Sequence, residues 1–272
     1  MTGSDEAVDL DRYFERIGYS GDRAPTASTL DAIIAHHASA IPFENLDPFT
    51  GRPNRIDLTS ITHKLIESGR GGYCFEQNLL LRSVLLSLGY DLTALSARVL
   101  WGTGDYVITR RSHMLLMVEV DGEPRLADVG FGGMTPTAAL AFKTDIEQST
   151  PLEPFRLTML GNDYALQGKV DDTWRSIYRF DLTPQHPIDY DAINWYLSTS
   201  PQSHFVTGLV AARPTDDRRY ALSGLRLTVH HLGGPSERRE LGDLDEFRSA
   251  LENDLLIDTA GIPLDLVYAR LS

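Results

Sequence analysis

One short stretch decides how the rest of the chain is interpreted: Arg70-Gly71-Gly72-Tyr73-Cys74-Phe75-Glu76-Gln77-Asn78. Cys74 is the only cysteine, so the chain contains no internal disulfide. A lone cysteine is by default a small buried hydrophobic residue. Here two glycines precede it, which permits a tight turn, and a strong helical pattern follows it. Because the N–H groups at a helix start favour a thiolate and can stabilise an oxyanion, the pattern predicts a reactive sulfur.

A cysteine nucleophile needs a base, and the base usually needs a carboxylate to orient it. Asp121-Gly122 is a preferred dipeptide for a two-residue hairpin turn, and strand-like segments flank it. With Val120 opposite Glu123, His113 and Asp128 become diagonal neighbours on one face, with Cβ atoms about 7–8 Å apart. A three-residue turn would instead place them on opposite faces. Asp128 interrupts an apolar run, where an unpaired charge is costly, so we expect it to have a partner.

The spacing of apolar residues divides the chain into three parts. The first is helical, with Ser28 expected to open the second helix and Thr59 or Ser60 the third. Strand-like segments separated by turns follow between residues 92 and 181, which predicts an antiparallel sheet or small barrel. We therefore predict an α+β fold with a helical domain carrying the cysteine (residues 1–88), a β-barrel domain carrying His113 and Asp128 (residues 89–185), and an interdomain helix with an α/β lid (residues 186–272).

Composition excludes several classes of function. The chain has 272 residues and a formal net charge of −13, and the pairs Arg110-Arg111, Arg218-Arg219 and Arg238-Arg239 are interpreted as isolated, solvated surface. Nucleic acid is therefore not an expected partner. The acidic residues 1–11 do not resemble a signal peptide, and no apolar run reaches the ~20 residues that cross a bilayer. We predict a cytoplasmic protein without a membrane association. Motifs for phosphate loops, dinucleotide binding and zinc sites are lacking, and no metal is expected.

The stretch around Cys74 resembles the cysteine motif of the arylamine N-acetyltransferases. Further segments of the same resemblance extend over nearly the whole chain: Tyr13-Phe14-Glu15-Arg16-Ile17, Ile41-Pro42-Phe43-Glu44-Asn45-Leu46, Ser112-His113-Met114, Asp128-Val129-Gly130-Phe131-Gly132-Gly133, Asn194-Trp195-Tyr196 and Ser203-His204-Phe205. The resemblance implies a helical domain, a β-barrel domain and an α/β lid around a Cys-His-Asp core like that of papain and the transglutaminases.

It also implies a ping-pong transfer typical of xenobiotic metabolism. Acetyl-CoA, a co-substrate rather than a bound cofactor, acetylates Cys74, and an arylamine, hydrazine or N-hydroxyarylamine then takes the acetyl group. His113 raises the nucleophilicity of Cys74, and Asp128 holds the imidazole.

The resemblance also assigns binding residues. Phe131 and Phe205 are expected to line an aromatic acceptor pocket, with plain core packing as the alternative for these two, and Phe43 and Tyr73 are also expected at the substrate. The residues expected at CoA are Gly132, Gly133, Ser112, Trp101 and His230. Five polar residues are interpreted as supports of the cysteine loop, the segment that leads from residue 70 to Cys74: Arg70, Glu44, Asn45, Glu76 and Asn78.

Motifs alone leave three alternatives open. A cysteine hydrolase uses the same three groups but admits water, an amide synthase of antibiotic biosynthesis is closely similar, and a catalytically silent binding module is the alternative from another class. A lid-sized carboxyl-terminal segment favours transfer over hydrolysis. The expected assembly is a monomer or a weak homo-oligomer.

Overall fold

The amino-terminal third is helical because its apolar residues recur at helical spacing. The computed structural model describes residues 8–272, so the first seven residues of the acidic segment at positions 1–11 lie outside the described residues. The helices of this part are α1 (Leu10–Ile17), α2 (Ala27–Ala40), α3 (Leu46–Phe49), α4 (Leu58–Thr62), which continues into a π-helical turn (His63–Glu67), and α5 (Cys74–Ser87). Within residues 8–272, no helix is long and apolar enough to cross a membrane.

Two of the predicted helix starts are wrong by a few residues. Thr26, rather than Ser28, caps α2, because its hydroxyl accepts a hydrogen bond from the Thr29 amide at 3.2 Å. Asp57, rather than Thr59 or Ser60, caps α4, where its carboxylate accepts from the amide of Ser60 at 3.0 Å. Both side chains satisfy an N–H group that the helix itself leaves free.

The middle of the chain forms a seven-stranded antiparallel sheet that nearly closes into a barrel. Its strands are β2 (Asp91–Val99), β3 (Arg111–Val120), β4 (Glu123–Ala127), β5 (Leu140–Ala141), β6 (Phe155–Leu160), β7 (Asp163–Val170) and β8 (Thr173–Phe180), in the spatial order β5-β4-β3-β2-β8-β7-β6. Bridges from Gln148 to Phe155 and from Thr144 to Leu157 join the chain beyond β5 to the opposite edge of the sheet. These bridges bring the two edges of the nearly closed barrel together around an apolar core of its own.

The β3–β4 hairpin has the predicted register. Val120 lies opposite Glu123, and pairing continues in step to Leu116 and Ala127. The turn residues Asp121 and Gly122 have φ angles of 54° and 77°, as a turn that matches the twist of the two strands requires. The predicted two-residue turn is confirmed.

The carboxyl-terminal part packs a second sheet against short helices. Its strands are β9 (Val210–Pro214), β10 (Arg218–Ser223), β11 (Arg226–His231) and β12 (Glu237–Glu240), and its helices are α6 (Asp191–Thr199), α7 (His204–Thr207), α8 (Leu244–Ser249), which continues into a π-helical turn (Ala250–Asp254), and α9 (Leu264–Leu271). A 3-10 turn (Pro187–Tyr190) leads into α6.

A short strand from the helical part, β1 (Phe43–Glu44), completes this sheet, since Phe43 pairs with Ala212 of β9. The sheet order is β1-β9-β10-β11-β12. The largest apolar cluster likewise combines Leu80 of α5, Leu116 of β3 and Phe205 of α7. The three-part division at residues 88 and 185 remains a prediction, and residues of all three parts meet in this largest cluster.

Gly71 lies where the cysteine loop crosses the segment after α2. A Cβ atom at Gly71 would lie 2.1 Å from the carbonyl oxygen of Pro42, so a side chain would push two backbones apart. We expect Gly71→Ala to lower the free energy of unfolding by about 1–3 kcal/mol, measured by urea denaturation. Gly104→Ala is the control, because its Cβ would meet only Val107 Cγ2, at 3.7 Å. Equal unfolding midpoints for the two variants would contradict a crowded crossing.

Candidate active site

Three elements of the fold bring Cys74, His113 and Asp128 together. Cys74 is the first residue of α5, His113 lies on β3, and Asp128 directly follows β4. All three are buried, with 4%, 2% and 1% of their surface exposed. The thiol of Cys74 lies 3.5 Å from the carbonyl oxygen of Ser112, the residue before the histidine. The start of the helix therefore meets the sheet at the histidine strand.

The imidazole of His113 links the other two side chains. Its Nε2 donates to Oδ2 of Asp128 at 2.7 Å, and the ring lies near enough to the side chain of Cys74 for the two to interact electrostatically. Since Nε2 is engaged by the carboxylate, Nδ1 is the nitrogen that serves the sulfur. This is the arrangement of nucleophile, base and orienting acid that covalent acyl transfer requires.

Asp128 is held by more than the histidine. Its Oδ1 accepts from Asn78 Nδ2 at 3.0 Å and from the amide of Gly130 at 2.9 Å. The same Asn78 amide group donates to the carbonyl of Met114 on β3 at 2.8 Å. Asn78, predicted as a support of the cysteine loop, thus connects α5 to both strands of the hairpin.

Electrostatics keep this pair charged in a buried position. Burial alone would lower the pKa of His113, but the negative charge of Asp128, the hydrogen bond to Asp128 and the nearby Cys74 side chain raise it to about 10. Burial would raise the pKa of Asp128, but the His113 charge and hydrogen bonds from His113, Asn78 and Gly130 lower it below its usual value. At neutral pH the pair is therefore an imidazolium and a carboxylate. An imidazolium beside a sulfur stabilises a thiolate.

Two aromatic rings enclose the imidazole. The ring of Tyr178 lies 4.8 Å from that of His113 at an interplanar angle of 35°, and Phe131 meets His113 edge-on at 5.3 Å. The hydroxyl of Tyr178 is buried near Asp128 and has no well-aligned hydrogen-bond partner within residues 8–272. Tyr178 was not among the predicted site residues, because its contact with His113 depends on strand β8 lying beside β2, an order that periodicity does not reveal.

Buried charges hold the base of the cysteine loop. Arg70 contacts Glu44 at 2.6 Å, and Lys64 contacts Glu76 at 2.7 Å and Asp47 at 2.8 Å. The predicted supporting positions of Arg70, Glu44 and Glu76 agree with these contacts. Lys64 and Asp47 were missed, since a charged residue on a helix usually belongs to a solvated face. Removing one member would leave a buried charge uncompensated.

Asn45 has a different partner from the one predicted. Its side chain donates to the carbonyls of Phe205 and Gly208 at 2.8 and 2.7 Å and accepts from the amide of Val210 at 2.8 Å. Asn45 therefore fastens the segment before β9 to the helical part through all of these hydrogen bonds.

A cleft of about 1120 Å³ opens onto Cys74 and His113. Its walls include eight further residues predicted for the substrates: Phe43, Trp101, Ser112, Phe131, Gly132, Gly133, Phe205 and His230. Asp128 is held behind His113. The cleft thus combines an aromatic region with a path along the Gly132-Gly133 turn, where Gly132 has a φ of 86°.

Tyr73 is placed differently from the prediction, behind the wall of the cleft. It is fully buried, its ring packs 5.5 Å from that of Phe205, and its hydroxyl donates to Oδ1 of Asn194. A buried tyrosine hydroxyl needs a hydrogen-bond partner inside the protein, and Asn194 supplies the acceptor for Tyr73. Tyr73 supports Phe205 and does not reach the substrate cleft.

The arginine pairs are not uniformly solvated: the prediction is wrong for Arg219, whereas Arg110 is exposed as predicted. Arg110 stacks over the ring of Tyr196, with its guanidinium carbon 4.4 Å from the ring centroid, and lines the cleft. Arg219 is 2% exposed and also lines the cleft, whereas its neighbour Arg218 pairs with Asp217 near the surface. Adjacent residues of a strand face opposite sides, which explains the split.

Within residues 8–272, no group of three or more His, Cys, Asp or Glu side chains is arranged to hold a metal ion. A buried cysteine at a helix start, facing a histidine–carboxylate pair on a sheet, defines the class of papain-like cysteine enzymes.

Comparisons with known proteins identify the family within this class. A family model described as N-acetyltransferase matches residues 26–261. The arylamine N-acetyltransferase of Mycobacterium tuberculosis is 42% identical over 260 residues, covering 94% of this chain and 92% of the relative. That of Mycolicibacterium smegmatis is 40% identical over 270 residues, covering 98% of each. The solved structure of the Mycobacterium marinum arylamine N-acetyltransferase in complex with CoA superimposes with a TM-score of 0.92 at 40% identity, covering 97% of this chain and 98% of that one.

The chain belongs to the arylamine N-acetyltransferase family and is an acyltransferase. The predicted α+β architecture with a papain-like core is confirmed, and so is the resemblance seen in the cysteine motif. The relatives do not favour the hydrolase or amide synthase alternatives.

Replacing Asp128 by asparagine tests its part in the site. The neutral amide no longer stabilises an imidazolium, so we expect Asp128→Asn to slow alkylation of Cys74 by iodoacetamide at neutral pH and to lower acetyl transfer by about a thousandfold or more. Glu123→Gln is the matched control, since Glu123 is an exposed carboxylate on the same hairpin, 3.3 Å from Lys143. A near-normal rate in Asp128→Asn would remove Asp128 from the mechanism.

The same pair predicts how stability depends on pH. The pKa of His113 rises from 6.5 to about 10, so its contribution is complete below pH 6.5 and is lost as the pH rises through about 10. The pKa of Asp128 falls below 3.8, so its contribution is present above pH 3.8 and is lost as the pH falls through the lowered value. Urea titrations should therefore show the largest stability difference between wild type and Asp128→Asn from pH 3.8 to 6.5. A difference that does not shrink at alkaline pH would show that the pair is not charged.

Proposed function

We propose that the protein transfers an acetyl group from acetyl-CoA to an arylamine, hydrazine or N-hydroxyarylamine through a thioester on Cys74. The observation that carries the proposal is the position of Cys74 next to the hydrogen-bonded pair of His113 and Asp128, beside a cleft with an aromatic region. The relative from Mycobacterium marinum, solved in complex with CoA, supports CoA as the carrier of the acetyl group.

In the first half-reaction the sulfur of Cys74 attacks the thioester carbonyl of acetyl-CoA. The C–S bond to CoA breaks, the imidazolium of His113 protonates the departing thiolate, and the acetyl group remains on Cys74. We assign stabilisation of the intermediate oxyanion to backbone N–H groups at the start of α5, where the helix dipole also favours negative charge.

In the second half-reaction the acceptor nitrogen attacks the thioester on Cys74. His113, now neutral, takes the proton from the attacking nitrogen, and the Cys74 thiolate leaves, which restores the starting charges. Asp128 keeps Nε2 of the imidazole engaged, so Nδ1 faces the sulfur through both halves. A base held in one tautomer avoids the reorientation that would otherwise slow each turnover.

The cleft walls suggest where the two substrates bind. Phe43 and Phe205, with ring centroids 6.0 Å apart, and Phe131 beside His113 form an aromatic wall suited to a flat amine. CoA is assigned to the path along Gly132-Gly133 with Ser112, Trp101 and His230. A Cβ atom at Gly133 would meet nothing within 4 Å, so this position has open space beside it.

Three properties remain predictions of the sequence. They are the cytoplasmic location, the monomeric or weakly oligomeric state, and the role in xenobiotic metabolism. The acetyl donor is a co-substrate in this proposal, and no permanently bound cofactor takes part in its steps.

Intact mass spectrometry tests the proposed function directly. After mixing with acetyl-CoA, the protein should gain one acetyl group on Cys74, and an aromatic amine or aryl hydrazine should remove it. Cys74→Ser is the control and should not accumulate the thioester. Loss of the acetyl group to water at the same rate without any amine would identify a hydrolase and contradict the proposal.

A further inference from the structure

Arg219 is a buried cation on the wall of the cleft that the two half-reactions do not use. Its side chain is 3% exposed, and Glu153 is its ion-pair partner, with Nη2 2.6 Å from Oε2. Its Nε also donates to both carboxylate oxygens, at 2.9 and 2.8 Å. The pair joins two walls of the cleft, because Arg219 lies on β10 of the carboxyl-terminal sheet and Glu153 precedes β6 of the barrel.

The pairing with Glu153 leaves part of the guanidinium unsatisfied. Within residues 8–272, Nη1 is buried and has no hydrogen-bond partner, and the approach of Nη2 to the carboxylate is not a well-aligned hydrogen bond. An N–H group kept from water without an acceptor is costly, so buried donors at a ligand cleft commonly serve the ligand. Arg219 therefore offers free N–H donors to a ligand bound beside it in the cleft.

The surrounding charges favour an uncharged acceptor. Glu153 already neutralises Arg219, and Lys169 on the same wall pairs with Glu147 at 3.3 Å. Two further carboxylates, Asp171 and Asp172, line the cleft as well. A phosphate would meet more negative than free positive charge here, whereas an amide carbonyl needs only a donor.

Arg219 lines the same cleft that the acetyl donor must enter to reach Cys74. Arg219 lies directly opposite His230 in the β10–β11 pairing, and both residues share the cleft with Cys74. When the thioester carbonyl is at Cys74, the chain that leads away from it carries two amide groups before the first phosphate.

We propose that Arg219 donates a hydrogen bond to an amide carbonyl of this arm and so selects pantetheine-bearing acyl donors. The inference rests on the proposed function, since it assumes that acetyl-CoA acylates Cys74.

Three acetyl donors of decreasing complexity separate the possible contacts: acetyl-CoA, S-acetylpantetheine and p-nitrophenyl acetate. The measured quantity is kcat/KM for acetylation of Cys74, which isolates the first half-reaction.

Two variants of Arg219 are compared. Arg219→Lys keeps the charge opposite Glu153 but loses the unpaired Nη1, and Arg219→Met combined with Glu153→Gln removes both charges together. Arg218→Lys and Arg218→Met are the matched controls, because Arg218 is adjacent and pairs with Asp217 outside the cleft.

Both Arg219 variants should lose about tenfold or more with acetyl-CoA and with S-acetylpantetheine, and less than about twofold with p-nitrophenyl acetate. A loss confined to acetyl-CoA would assign Arg219 to a phosphate and overturn the proposal. An equal loss with all three donors would show a merely structural role, and unchanged rates would show no contact. Failure of wild-type protein to accept acetyl from acetyl-CoA would instead contradict the proposed function itself.

Discussion

The short hydrogen bond between His113 and Asp128 depends on a backbone constraint, the two-residue turn at Asp121-Gly122. Side chains alternate along a strand, so a slip of one residue in the hairpin would send the imidazole and the carboxylate to opposite faces of the sheet. The turn can hold its register because both of its residues adopt positive φ angles. The chemistry of the site is thus fixed by a turn at the far end of the hairpin.

Close packing then brings the cysteine to this pair. A Cβ atom at Gly130 would lie 2.7 Å from the Cα of Cys74, so only a glycine lets the start of α5 approach the strand. On the other side, Gln77 donates to the carbonyls of Pro42 and Gly72 at 2.8 and 3.2 Å, and its own oxygen faces Nε2 of buried His37 at 2.7 Å. Backbone contact on one face and hydrogen bonds on the other leave the sulfur little freedom, which suits a nucleophile.

The parts of the fold that were predicted are those with local signals. The hairpin register follows from one dipeptide, and α5 and the reactive cysteine follow from a glycine pair before an apolar helix. What could not be predicted depends on contacts between distant segments. The pairing of Phe43 with Ala212 joins the helical part to the carboxyl-terminal sheet, which are far apart in sequence, and a two-residue strand has no period to detect. The position of Tyr178 and the burial of Arg219 likewise depend on strand order and on which face a neighbouring sheet covers.

Several contacts between distant segments join the carboxyl-terminal sheet and its neighbouring helices to the rest of the protein around the cleft. Asn45 hydrogen-bonds the chain from Phe205 to Val210, β1 completes the carboxyl-terminal sheet, and Arg219 reaches the barrel through Glu153. A thioester on Cys74 is exposed to attack by any nucleophile that reaches it, and water is the most abundant one. Transfer can compete with hydrolysis only if the walls of the cleft are held together while the acceptor binds. A local pattern is enough to build a reactive cysteine, whereas selective transfer requires walls assembled from segments far apart in sequence.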